Sequence, residues 1–172
     1  MQKSMLPLHT AEEHKENLEE FDFIVSTCFF ELGDQFLVLK RARKDKQFGL
    51  WGVPGGKLVN SESPREALER EIKEELGIQI PKNSFLFLSK AISTNPYDGQ
   101  YLLYIYYYKF KFPPNITINS QEHSALDWVN IQDFKRLNLL VSQGDAFELV
   151  KSKLMEIQFK NRANQQLEVV YV

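Results

Sequence analysis

Cysteine occurs only once, at Cys28, so the chain can form no internal disulfide and suits a reducing compartment. Val25, Phe29 and Phe30 lie close by in sequence, and nothing near them would depress a thiol pKa. Cys28 therefore reads as a packed structural residue, not a nucleophile. A membrane-spanning run of about 20 apolar residues is missing as well. The most apolar stretch, Tyr101 to Phe112, is short, aromatic and interrupted by lysines, and Met1 to Glu20 lacks the apolar run of a signal peptide. A cytoplasmic chain with no membrane partner is expected. Nor is there a basic excess: 21 Lys and Arg against 23 Asp and Glu give a net charge of −2. That balance lacks the electrostatic footprint of a nucleic-acid binder. A polyanionic ligand would have to be neutralised locally, by a few basic side chains or by a metal.

Repeats, low-complexity tracts and linkers are also missing, and 172 residues with 43% hydrophobic content suffice for one domain with its own core. Residues 1–20, rich in glutamate, read as a polar arm or short helix. Phe21 to Glu31 and Gln35 to Arg41 read as a hairpin turning at Leu32-Gly33-Asp34. Gly49 to Gly56, with Trp51, Pro54 and four glycines, reads as a bent loop. Strands are expected at Ser84 to Ile92 and Tyr101 to Phe112, joined by a turn at 95–99, and again at Leu126 to Ile131. A helix is expected at Asp145 to Phe159. Leu167, Val169 and Tyr171 then alternate as in a strand, so residues 161–172 read as an extension that could pair two copies into a homodimer. The whole is an α+β pattern, with the domain proper at 21–160.

The clearest helix is Pro64 to Leu76. Ser63 is a suitable N-cap, Glu66 completes a capping box, Pro64 takes the first helical position and Gly77 follows the last turn. At 100° per residue Leu68, Ile72 and Leu76 form an apolar stripe, and Glu71, Glu74 and Glu75 gather on the adjoining face. Glu75 borders the stripe, so its carboxylate should be partly screened from water. Like charges at i,i+4 repel, and partial burial raises the cost unless a cation neutralises them. Converging hard oxygens suit Mg²⁺ or Mn²⁺. Arg70 on the flank could hold one carboxylate through a bidentate contact. Gly55 and Gly56, placed by Pro54 just ahead, allow backbone to approach an ion or phosphate closely.

Gly56, Glu62 eight residues before Arg70, and the run Arg70-Glu71-Ile72-Lys73-Glu74-Glu75-Leu76-Gly77-Ile78 together resemble the complete Nudix box. Seven fixed residue types at this spacing would arise by chance on the order of once in 10⁸ windows at ordinary residue usage. Leu50-Trp51-Gly52-Val53-Pro54-Gly55-Gly56 is similar to the lead-in of many members. The resemblance implies a mixed β-sheet sandwich packed between α-helices. It also implies hydrolysis of a pyrophosphate bond in a nucleoside diphosphate linked to another moiety, with Mg²⁺ as cofactor and Mn²⁺ as substitute. By the same resemblance Glu71, Glu74 and Glu75 bind the metal and Glu71 doubles as general base. Arg70 orients the glutamates, the Gly55 carbonyl adds a ligand, and Gly56 and Glu62 support the site. Gln121-Glu122-His123 ahead of Trp128-Val129 resembles the region that supplies a further carboxylate, making Glu122 a metal ligand or base. His123 reads as a surface or structural residue, although a histidine titrates in a range that suits proton transfer.

The substrate lies outside the box. Arg41, with Lys40 and Arg43 beside it, is a candidate for the phosphates. Phe23, Phe48 and Tyr97 offer faces for a nucleobase. A nucleoside or deoxynucleoside triphosphate, cleaved to monophosphate and pyrophosphate, is the preferred expectation. A sugar nucleotide such as ADP-ribose is the alternative, and a non-catalytic nucleotide-binding module a third reading.

Overall fold

The structure, a computed structural model, describes residues 9–10, 20–42 and 46–169, with side chains over 20–42 and 46–161. Strands β1 (His9–Thr10), β2 (Phe23–Leu32), β3 (Gln35–Arg41), β4 (Trp51–Gly52), β5 (Gly55–Lys57), β6 (Leu86–Asn95), β7 (Gly99–Phe110) and β8 (His123–Asn130) form one mixed sheet. They join helices α1 (Pro64–Leu76), α2 (Ile131–Phe134) and α3 (Gln143–Val169). The sheet runs β1-β6-β7-β2-β3-β4, with β5 also on β2 and β8 also on β3.

The expected hairpin is present, but it opens almost at once. β2 and β3 pair only at Glu31↔Phe36 and Leu32↔Gln35. β2 then runs parallel to β7 over its whole length, Phe23↔Tyr101 to Leu32↔Phe110, and β3 pairs antiparallel with β8. The two strands diverge like a wedge. Into its mouth the segment read as a bent loop inserts two short strands, β4 on β3 at Leu39↔Gly52 and Lys40↔Trp51, and β5 on β2 at Val25↔Lys57, Ser26↔Gly56 and Thr27↔Gly55. The wedge carries Gly55 and Gly56 into the centre of the molecule.

Both faces of the sheet are covered, so β2 is buried on alternate sides. Phe29, Val38, Leu103 and Ile105 pack against Phe134, Phe147 and Val150 of α2 and α3. Cys28, Phe30, Leu37 and Leu39 pack on Leu68, Ile72 and Leu76 of α1. This is the expected sandwich. Cys28 is fully enclosed and burial pushes its thiol pKa well up, which leaves it an inert packing residue.

Helix α1 has the expected ends. Ser63 accepts from the Glu66 amide in a capping box, Pro64 leads, and Gly77 is left-handed at φ 67° with its N–H on the Lys73 carbonyl. The late boundaries differ. β8 begins three residues earlier than its apolar pattern indicates, and it ends where Asn130 caps α2 by accepting from the Gln132 and Asp133 amides. The strand expected from Leu167, Val169 and Tyr171 is not formed: α3 continues to Val169, 27 residues in all. Tyr171 lies outside the described residues. An existing helix grows by one hydrogen bond per residue fixed, and no glycine or proline interrupts this one beyond its first turn, whereas a strand needs a neighbouring edge. The edge pairing behind the expected homodimer therefore loses its basis. At the other end, His9 and Thr10 are strand, paired with Ile92 and Ala91 of β6. The remainder of the polar arm before Glu20 lies outside the described residues.

Candidate functional site

Two glycines make the junction between wedge and helix. Gly55 has φ +140°, and a side chain there would run into the Ser26 carbonyl and Thr27. At Gly56 an added methyl would occupy the place of the Glu71 carboxylate. Pro54 anchors the loop, its carbonyl accepting from the Thr27 hydroxyl at 2.9 Å and the Cys28 amide at 3.0 Å. The Gly55 N–H then donates to Glu75 Oε2 at 2.8 Å. The loop backbone thus comes close to α1, with its amide side toward the Glu75 carboxylate.

Arg70 organises the other acids. Its Nε and Nη2 donate to Glu62 at 3.1 and 2.7 Å in the bidentate geometry expected of a guanidinium. Nη1 donates to Glu71 at 2.7 Å and to Glu74 at 3.4 Å, and Nη2 also reaches the Lys57 carbonyl at 3.1 Å. The Arg70 hydrogen bond holds Glu62 below the usual carboxylate range. Glu71 moves the other way: burial raises its pKa, Arg70 opposes this, and the charges of Glu75 and Glu74 add to the rise. Glu74 remains largely exposed. A half-buried acid crowded by like charges is a place where a cation would be favoured.

The C-terminal end of α1 brings in a distant segment. The last carbonyls of a helix lack partners within it. Here the Glu75 carbonyl accepts from the Asn119 amide at 3.0 Å, and the Leu76 carbonyl from the Thr117 amide at 2.9 Å. Asn119 in turn holds the residues just after it: its carbonyl accepts from the Glu122 and His123 amides, and its side chain donates to Glu122 Oε1 at 2.8 Å. Glu122, 47 residues beyond Glu75 in sequence, is exposed beside it. His123 is buried, with Nε2 2.8 Å from Glu75 Oε1 and, among the described residues, no partner for Nδ1. Ligand atoms of Glu75, Glu122 and His123 lie within 4.8 Å of one another, a grouping that could hold a metal ion.

The residues expected at the site divide into three groups. Glu62, Arg70, Glu71, Glu74 and Glu75 lie on or beside α1 with Gly55 and Gly56 against them, and Glu122 joins Glu75. Arg41, at the end of β3, lines both a cavity of about 150 Å³ shared with Gly55, Gly56 and Phe23, and a smaller one shared with Glu75 and His123. Phe23 borders the larger cavity, but Tyr101 of β7 stacks on it at 4.9 Å and Lys57 of β5 stands 3.8 Å over its ring. β7 and β5 flank β2 on opposite sides, so both faces of Phe23 are covered. Tyr97, 61% exposed at the turn tip, does not line that cavity, and Phe48 is exposed. Lys40 lies over Trp51 at 5.5 Å, and Arg43 is outside the described residues. His123 gains an importance that the sequence does not signal. Its marks in the sequence were adjacency to Glu122 and the titration range of a histidine, neither of which predicts burial against Glu75.

A family model for the NUDIX domain matches residues 22–150, three quarters of the chain, and the whole carboxylate site falls inside it. The chain belongs to the Nudix hydrolase family. An uncharacterized Nudix hydrolase of Bacillus subtilis, YvcI, is 27% identical over 134 residues, covering 73% of this chain and 77% of its own. The CTP pyrophosphohydrolase of Escherichia coli is 30% identical over 110 residues, covering 63% and 76%. The crystal structure of a MutT NUDIX hydrolase from Burkholderia pseudomallei superposes with a TM-score of 0.63 over 74% of this chain and 97% of that one, at 24% identity, and so shares the fold. Among the described residues no helix is long and apolar enough to cross a membrane.

Proposed function

We propose that this Nudix hydrolase cleaves a nucleoside or deoxynucleoside triphosphate to the monophosphate and pyrophosphate with a divalent cation, Mg²⁺ or Mn²⁺, as cofactor. The observation that carries the reading is the grouping of Glu75 of α1 with Glu122 and His123, beside a small cavity that Glu75, His123 and Arg41 line together. Glu71, Glu74, Glu75, Glu122 and the Gly55 carbonyl would hold the cation; all are hard oxygen donors of the kind these ions take. The rise in the Glu71 pKa, from burial first and then from neighbouring charge, is the imbalance a cation would relieve. When bound, the cation supplies charge neutralisation on the phosphate oxygens and lowers the pKa of coordinated water.

The remaining roles belong to the chain. Glu71 accepts the proton as a water oxygen bonds to phosphorus, and the bridging P–O bond breaks with its electron pair leaving on the departing phosphate. Arg70, bound to Glu62, keeps Glu71 in place. Arg41 holds phosphate oxygens from the cavity side. A base enters the larger cavity edge-on to Phe23, whose faces are taken by Tyr101 and Lys57. The 30% likeness to a CTP pyrophosphohydrolase supports a triphosphate substrate.

The test is a product-resolved screen of nucleoside triphosphates, dinucleoside polyphosphates, ADP-ribose and sugar nucleotides with Mg²⁺ or Mn²⁺, read by mass. Release of pyrophosphate from a triphosphate, with Glu71→Gln lower by about 10²–10⁴-fold, is the expected outcome. Turnover of ADP-ribose alone would refute the substrate, and a folded Glu71→Gln protein at the wild-type rate would refute the base.

A further inference from the structure

Glu75 differs from its neighbours on α1 in how its charge is satisfied. It is 2% exposed, and an ionised carboxylate in that position needs donors on its oxygens. Arg70 directs its side-chain donors to Glu62, Glu71, Glu74 and the Lys57 carbonyl. Glu75 instead has one donor for each oxygen, the Gly55 N–H on Oε2 at 2.8 Å and His123 Nε2 on Oε1 at 2.8 Å. The first is backbone, placed by the wedge. The second is a side chain 3% exposed, brought from 48 residues away.

The proton position follows from the acceptor. An ionised carboxylate can only accept, so Nε2 carries the hydrogen toward Oε1, while Nδ1 is buried and has no partner among the described residues. The reverse tautomer would set a ring lone pair against Oε1 and leave a buried N–H unmet at Nδ1. The ring has little freedom to leave. The His123 amide is bonded to the Asn119 carbonyl at 2.9 Å, and His123 is in register with Arg41 on β3. The Asn119 amide also donates to the Glu75 carbonyl at 3.0 Å, so one short segment grips Glu75 by main chain and side chain together.

We propose that His123 is a positioning residue for the metal: through Nε2–H it fixes the Glu75 carboxylate, leaving that group's free lone pairs oriented for the cation. The inference rests on the reading of Glu75 as a metal ligand. It assigns to a buried histidine outside the acidic helix the role that Arg70 plays for Glu71. Groups that hold a ligating side chain from behind are typically worth 10–100-fold in metal affinity.

Direct Mn²⁺ binding to the full-length, metal-free protein tests it without turnover. Free Mn²⁺ is counted by its EPR signal for wild type, His123→Leu and His123→Gln, with circular dichroism and melting in EDTA as folding controls. Leucine keeps bulk and removes the donor; glutamine restores an amide N–H at similar reach. The expected result is a loss of about 10–100-fold in Mn²⁺ affinity for His123→Leu and recovery of most of it in His123→Gln. If His123→Leu does not fold, His123→Asn, polar but too short to reach Oε1, carries the same expectation. A folded His123→Leu protein with wild-type affinity overturns the proposal while leaving the metal site standing. So does a His123→Gln protein as weak as His123→Leu with nitrogen coupling lost from the Mn²⁺ spectrum, which would make His123 a ligand. A wild-type chain that takes up no Mn²⁺ overturns the metal reading and this inference with it.

Discussion

Replacing Arg70 by alanine removes the cation that three glutamates share, and the structure permits the consequence to be worked out. The guanidinium makes two bonds to Glu62, one short bond to Glu71 and a longer one to Glu74. Its side chain is 28% exposed and that of Glu71 only 13%. Breaking a buried pair from one side costs about 3–5 kcal/mol, because the other charge is left without a partner. Solvent reaches the guanidinium here and screens it, so about 2–3 kcal/mol is expected in metal-free protein at neutral pH. That corresponds to roughly 30–150-fold in the folding equilibrium at 1.4 kcal/mol per decade.

Urea unfolding in EDTA across a pH series provides the assay, because the sign of the pH effect identifies the cause. Glu62 has a folded pKa below its ordinary 4.5, so the stability it contributes is present above that value and is lost as pH falls through the folded pKa. Glu71 is raised, so its contribution is most favourable below 4.5 and declines as pH rises through its folded value. Acidification therefore weakens the partner of Arg70 in one case and neutralises the unpaired charge in the other. Both changes shrink the gap between wild type and Arg70→Ala below about pH 4.5. A gap that stays constant across the series would refute the electrostatic account and assign the loss to packing of the arginine stem.

Gly56→Ala places a methyl where the Glu71 carboxylate lies. Displacing a catalytic group by about 1 Å is expected to lower kcat by roughly 10²-fold; unchanged kcat with the preferred triphosphate would refute the role given to this contact. Ile72→Ala opens a cavity where α1 meets the sheet, and the residue is fully buried. A loss of about 2–5 kcal/mol by chemical denaturation is expected, and a value under about 1 kcal/mol would show that Ile72 does not seat α1 on the core.

The sequence alone determined what is local. Helix α1 was legible in its boundaries, its apolar stripe and its acidic face because capping residues and 3.6-residue periodicity act within a few positions. The resemblance carried by Gly56 to Ile78 placed the reaction class, since that spacing records which side chains share one helical face. Tertiary structure decided the rest. The early parting of β2 and β3 depends on competition from β7 and β8, partners distant in sequence that leave no trace in either strand's own pattern. The course of α3 beyond Phe159 departs from the apolar alternation because a two-residue period in a short tail cannot outweigh a helix already under way. The covered faces of Phe23 follow from the strands on either side of β2, not from Phe23 itself. His123 shows the division most clearly. Its residue type was visible, but its burial against Glu75 depends on residues 117–123 meeting the last carbonyls of α1 and on the pairing of β8 with β3.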